Sequence, residues 1–158
     1  MRVEYINPFV ESAYAVLKEV LSIEVKRGEI YLKPTSMSIM GVAALVGLAG
    51  DVEGRVLFDM TKETALFVAG KMNGENFTVF DELGKATIQE LANMITAQAV
   101  TKLHDLGFKF DLTPPALFTG DNMEVSTNLG EVEALIVPME LVAPFKIEVN
   151  VAIRERVK

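Results

Sequence analysis

Glu90 and Asn93 stand three residues apart in the segment ATIQELANMITA (residues 86–97), so a helix there sets them side by side on one face. Ala86 and Ala97 continue the same line, because positions 86, 90, 93 and 97 step by 4, 3 and 4. A solvated helix usually carries Lys and Glu at such places. Alanines there let another surface come close to a carboxylate and an amide, so Glu90 and Asn93 are the candidate functional pair and Ala86 and Ala97 the candidate partner contacts. Spacing alone leaves chance open: E-x-x-N needs only two common residues, and Glu4-Tyr5-Ile6-Asn7 repeats it. In that second copy Asn7 reads as a helix cap before Pro8, a structural task.

Other chemistry is thinly represented. The chain has no Cys, hence no thiolate nucleophile, thiolate metal site or disulfide framework. G-x-S-x-G, H-E-x-x-H, G-x-x-x-x-G-K-[ST] and G-x-G-x-x-G are all missing. The single His, His104, falls near the end of a predicted helix, where a surface cation favours the dipole. Asp81-Glu82 belongs to the first turn of that helix for the matching reason, and Glu131 and Glu133 alternate on a predicted strand as solvated side chains. Neither acidic pair has a neighbour that suggests acid–base work. Met37, Met40 and Met123 could line a small-molecule pocket between helices and sheet, though Met more often fills cores.

The helix carrying Glu90 and Asn93 has the clearest signposts in the chain. Thr78-Val79-Phe80-Asp81 fits a capping box, and Leu106-Gly107-Phe108 fits a glycine stop with a contact back to Leu103. Between them Ile88, Leu91, Ile95, Ala99, Leu103 and Leu106 form one apolar stripe, predicting a long helix over about residues 79–106. Earlier, Pro8 opens a helix running to Leu21, and a second covers residues 61–72, stopped by Asn73-Gly74. Strands are predicted at 30–34, 38–49 (a central one) and 54–60, the last two joined by a turn at Gly50-Asp51. Further strands follow at 116–119, 123–128, 131–141 and 145–153, the last with a half-buried alternation. Segments 38–60 and 115–139 echo each other weakly as strand–turn–strand, by duplication or by chance.

This order predicts an α+β fold: one domain over residues 1–158, an antiparallel or mixed sheet of about six strands, and helices on one face. The length suffices to bury a core without disulfide or metal. With 15 basic against 22 acidic residues, net −7, the chain is a poor match for a nucleic-acid backbone. Counting Gly as apolar and leaving out Tyr, the apolar share reaches about 55%, above the usual ~45–50%. That surplus suggests a covered sheet face, a subunit interface, or both. The first seven residues precede no apolar signal region, and the longest uncharged stretch, 34–50, falls short of a membrane span of ~20 apolar residues. A soluble, cytoplasmic protein is expected.

Three segments carry a resemblance. INPFVESAYAVL (6–17), GRVLFDM (54–60) and DELGKATIQELANMI (81–95) resemble the CheC/CheX/FliY family of response-regulator phosphatases, and the element order agrees across essentially the whole chain. The family's E-x-x-N falls on Glu90-Leu91-Ala92-Asn93. Its Asp or Ser four residues before the Glu is replaced by Ala86, and its Pro some 23 residues after the Asn has Pro114 and Pro115 just short of it. One convincing E-x-x-N places the chain with the single-site members.

The resemblance implies a homodimeric chemotaxis phosphatase acting on the aspartyl phosphate of the receiver protein CheY. It also implies that Asn93 orients the attacking water and Glu90 pairs with the receiver's active-site Lys. It implies no cofactor of the chain's own, Mg²⁺ arriving with the phosphorylated receiver. A non-catalytic chemotaxis or flagellar-switch adaptor, docking the receiver through the same helix, is the alternative, and the small-molecule-binding module is a third.

Overall fold

Tyr5, Ile6, Phe9, Ala13, Val16 and Leu17 recur at helical spacing and are all buried, and they wind the N-terminal segment into helix α1 (Val3–Leu21). The structure, a computed structural model, describes residues 3–34, 37–125 and 133–156. Helix α1 starts ahead of Pro8, so Asn7 is an exposed residue inside it and not its cap. The proline ring costs the helix one hydrogen bond. Burying the large side chains of Tyr5 and Ile6, each worth about 1.5–3 kcal/mol, offsets that loss.

Helix α2 (Lys62–Asn73) follows its signals closely: Thr61 Oγ1 accepts from the Thr64 N–H at 3.1 Å, and Gly74 ends it in the left-handed region at φ 66°. Helix α3 (Glu82–Asp105) is 24 residues long and starts later than expected. Its cap is Asp81, whose Oδ1 accepts from the Gly84 N–H at 2.9 Å, and not Thr78. At the other end the glycine stop is built as predicted. Gly107 has φ +95°, its N–H reaches the His104 carbonyl at 2.9 Å, and the Phe108 N–H reaches that of Leu103 at 3.1 Å.

Strands β1 (Lys26–Arg27), β2 (Tyr31–Pro34), β3 (Met37–Ser38), β4 (Val42–Gly50) and β5 (Val52–Met60) precede α2. After α3 come β6 (Phe110–Leu112), β7 (Ala116–Thr119), β8 (Glu124–Val125), β9 (Glu133–Glu140) and β10 (Lys146–Glu155). Eight of them form one antiparallel sheet in the order β1-β9-β10-β5-β4-β6, with β2 also on β9 and β7 also on β4; β3 and β8 pair separately. The two-residue β1 and the three-residue β6 carry too little pattern to be read in advance. Of the predicted strands, residues 126–128 and 131–132 lie outside the described ones, and so does Glu131.

The expected hairpin at residues 38–60 is β4 and β5, paired from Val42↔Met60 to Leu48↔Gly54. Gly54 is required there, because a Cβ would fall 2.0 Å from the Ala152 carbonyl oxygen of the neighbouring strand. Its sequence echo at 115–139 is not a second hairpin. Strand β7 pairs with β4, while β9 lies across the sheet beside β10.

The helices cover one face. Val56, Phe58, Val149 and Val151 meet Phe9, Leu17, Ile88 and Ile95 in the main core. The other face is covered too, with Ala134, Ile136 and Ala152 in one cluster and Ile39, Ala43 and Leu57 in another. Strand β10 is therefore buried on both sides from Ile147 to Ile153, against the half-exposed reading of its alternation. Its polar members are central because β9 and β5 flank it and segments of the chain lie over it.

Candidate functional site

Helix α3 positions the predicted pair by anchoring everything else. Ile88, Leu91, Ile95, Ala99 and Leu103 are buried in the main core. Thr87 and Thr96 turn back on the helix, donating to the Leu83 carbonyl at 2.7 Å and the Ala92 carbonyl at 2.9 Å. The Asn73 amide of α2 bonds Thr87 Oγ1 at 2.9 Å, and Lys102 reaches Glu11 of α1 at 3.3 Å. With the inner face held, Ala86, Glu90, Asn93 and Ala97 all point outward and are exposed.

Glu90 and Asn93 open into a cleft of about 570 Å³ whose second wall is the turn between β6 and β7. Its lining comprises Ala86, Gln89, Glu90 and Asn93 from α3 and the run from Leu112 to Pro115. Glu90 is the only charged residue in that lining, and Asn93 offers both a carbonyl acceptor and an amide donor. Such a surface can receive a cationic group and order a water. Ala86 belongs to the cleft; Ala97 shares the exposed face one turn further on without lining it. Sequence reasoning missed the second wall. The signal was Thr113-Pro114-Pro115, which must interrupt a strand because proline cannot donate to the ladder.

The remaining candidates separate from this site. His104 is exposed in the last turn of α3, its ring 5.3 Å from that of Phe110. Asp81 is occupied as a cap, and Glu82 is exposed beside Lys85 at 3.4 Å. Met123 packs on the Ile39–Ala43–Leu57 cluster, on the sheet face away from the helices. Met40 donates its N–H to Asp59 and lines a cleft with Lys62 and Glu63 of α2 and Lys85 of α3, apart from Met123; the Met37 side chain lies outside the described residues. Glu4 and Asn7 share a helix after all, but Glu4 is half-buried where Glu90 is exposed. Among the described residues no group of three or more His, Cys, Asp or Glu could hold a metal ion, and no helix is long and apolar enough to cross a membrane.

A second polar cluster lies where the sequence suggested none. Asp59 and Glu148 sit directly opposite each other on β5 and β10, and both are buried. The Tyr31 hydroxyl donates to Glu148, Lys33 Nζ lies 3.9 Å from it, and the Met40 N–H donates to Asp59 Oδ1 at 2.9 Å. Burial pushes the Asp59 carboxyl up to about 6, with the Met40 amide opposing the rise. Burial and then the Glu148 hydrogen bond raise the Tyr31 phenol as well. Further along the same face, Arg55 bonds Asn150 Oδ1 at 2.6 Å and is lowered by burial. These groups fasten β2 and the segment leading to β4 across the sheet, away from α3.

Comparison with known proteins identifies the family. The model of the family "Chemotaxis phosphatase CheX" matches residues 42–140, a span that includes α3 and both walls of the cleft. The CheY-P phosphatase CheX of Thermotoga maritima is 31% identical over 132 residues, covering 80% of this chain and 83% of that protein. Among solved structures, the CheX–CheY–BeF3–Mg²⁺ complex from Borrelia burgdorferi is 47% identical, with a TM-score of 0.85 over 98% of this chain and 100% of that one. A CheC-like superfamily protein from Shewanella sp. PV-4 is 28% identical, with a TM-score of 0.86 over 98% and 99% of the two chains. With more than half of its length matched and a relative above 30% identity, the chain belongs to the chemotaxis phosphatase CheX family.

Proposed function

We propose that the chain hydrolyses the aspartyl phosphate of the phosphorylated receiver CheY, with Asn93 orienting the attacking water and Glu90 pairing with the receiver's active-site Lys. The observation that carries this reading is the placement of Glu90 and Asn93 side by side on the exposed face of α3, in a cleft with no other charged lining residue. The complex of a 47% identical CheX with CheY, BeF3 and Mg²⁺ supports the partner and the source of the metal. Mg²⁺ arrives with the receiver and neutralises phosphoryl oxygens there.

An acyl phosphate already reacts with water, so the chain's task is positioning. Water attacks phosphorus, the bond from phosphorus to the aspartyl oxygen breaks, and phosphate and a free carboxylate result. The Asn93 carbonyl accepts from the water while its NH₂ donates to a neighbouring oxygen, which holds the water in line. A neutral amide takes up no proton, so Asn93 is not a base. Glu90, a turn away on the same face, aligns the helix by pairing with the receiver's Lys; Ala86 and Ala97 let the receiver approach. Residues 1–158 act as one domain in a cytoplasmic homodimer, a state supported by the outward Ile30 and Leu32, 49% and 56% exposed. Sedimentation at about twice the chain mass of 17.3 kDa is the expected result.

Phosphate release from Mg²⁺-loaded phosphorylated CheY tests the mechanism. Wild type accelerates it, Asn93→Ala loses on the order of 10²-fold, the scale of a misplaced reactant, and Asn7→Ala in the other E-x-x-N keeps the wild-type rate. Binding without acceleration would make the chain an adaptor instead.

A further inference from the structure

The edge strand beside β4 is broken in one place. Strand β6 pairs with β4 from Leu48↔Leu112 to Gly50↔Phe110, β7 pairs with it from Val42↔Thr119 to Leu45↔Ala116, and Thr113-Pro114-Pro115 bridges the gap. Two prolines in succession supply no N–H to the ladder, so the bridge needs other fastenings. One is Gly47: the Thr113 N–H donates to its carbonyl at 3.0 Å, and its own N–H donates to Thr113 Oγ1 at 2.8 Å. The other comes from the helix. Gln89 Nε2 donates to the Pro115 carbonyl at 3.2 Å, across the cleft from one wall to the other.

Gln89 immediately precedes Glu90, so this bond fixes the distance between the proposed pair and the proline wall. We propose that Gln89 is a positioning residue that locks the Thr113–Pro115 turn as the second wall of the receiver-docking cleft, setting affinity for the receiver and not the chemical step. The assignment rests on the phosphatase reading for its substrate and deepens it. Gln89 itself lines the cleft, and its amide acts on docking by holding the turn opposite. Pro114 and Pro115 present a stiff, apolar surface whose ordering on docking costs little entropy, provided the turn is already in place.

Two measurements on each variant test this: steady-state phosphate release from phosphorylated CheY, and the Kd for CheY loaded with Mg²⁺ and beryllofluoride. Gln89→Leu keeps the side chain's bulk without the donor; the expected result is a KM and Kd raised about 3- to 10-fold, the scale of one lost hydrogen bond, with kcat within about twofold of wild type. Gln89→Glu, equal in shape but unable to donate at neutral pH, should match or exceed that loss, whereas a role in packing alone would leave it near wild type. Thr113→Val loosens the same turn from the opposite side and should show the same split, which keeps the test decisive if Gln89→Leu folds poorly. Faster amide exchange at Thr113 in Gln89→Leu is the accompanying signature. Unchanged KM and Kd in these variants, or a fall in kcat with KM unchanged, would overturn the proposal while leaving the phosphatase reading intact. A wild type that does not turn over, with Gln89→Leu still weakening binding, would instead remove the phosphatase reading and retain the docking role.

Discussion

Removing the charge of Glu90 while keeping its shape isolates what that carboxylate contributes. Exposed, a Glu–Lys pair is worth about 0–1 kcal/mol; under a docked receiver, with water excluded, it is worth more. Glu90→Gln should therefore lower kcat/KM by about 3- to 30-fold, and the wild type's salt dependence should flatten in the variant because the screened attraction is gone. Initial rates of phosphate release at low and high ionic strength check both. The pair itself was legible in the sequence, since the i,i+3 spacing and its flanking alanines are local properties. What was not legible was why one E-x-x-N should differ from the other. Asn7 is also exposed on a helix, and the cap assigned to it does not exist. The difference is the cleft beside Asn93, whose far wall comes from residues 112–115.

Helix α3 is the element on which the site depends, and its ends were read with unequal success. The C-terminal stop follows from one residue's tolerance of positive φ, a purely local matter, and Gly107 behaves accordingly. At the other end, Thr78 and Asp81 can both cap by type; Asp81 is chosen because Gly84 then begins the buried run of the helix. Asp81→Ala should cost about 1 kcal/mol, a fall of roughly 2–4 °C in Tm for a chain of this size. Thermal melts followed by circular dichroism measure it, and Thr78→Ala should leave Tm unchanged.

The sheet's second face gives the molecule a pH dependence of its own. Asp59 is raised to about 6 in the fold against about 4 in the unfolded chain. Between those values the native state holds a proton that the unfolded state has released. The stability that Asp59 contributes is thus fully present below about pH 4 and is lost as pH rises through about 6, by an amount of the order of 2–3 kcal/mol. Asp59→Asn removes that cost: its Tm should exceed wild type above about pH 7 and converge on it near about pH 4. The Asn carbonyl can still accept from Met40, so the strap over the sheet is kept. A Tm difference that does not vary with pH would exclude this account.

The sequence by itself determined the α+β class, the span and stop of α2, the β4–β5 hairpin, the stripe of α3 from Ile88 to Leu103 (its last predicted member, Leu106, is exposed beyond the helix), and the exposure of Glu90 and Asn93. The class rests on the order of elements along the chain, and each of the others on periodicity or on cap and turn chemistry that is local in sequence. Only the tertiary structure decided that α1 runs through Pro8, that β10 is covered on both faces, that Asp59 and Glu148 are buried opposite each other, and that Gln89 meets Pro115. Those outcomes depend on which segments lie against one another. The energy of burial shared between distant segments outweighs a local preference such as a cap, and a pattern read along one strand carries no record of what covers its other face.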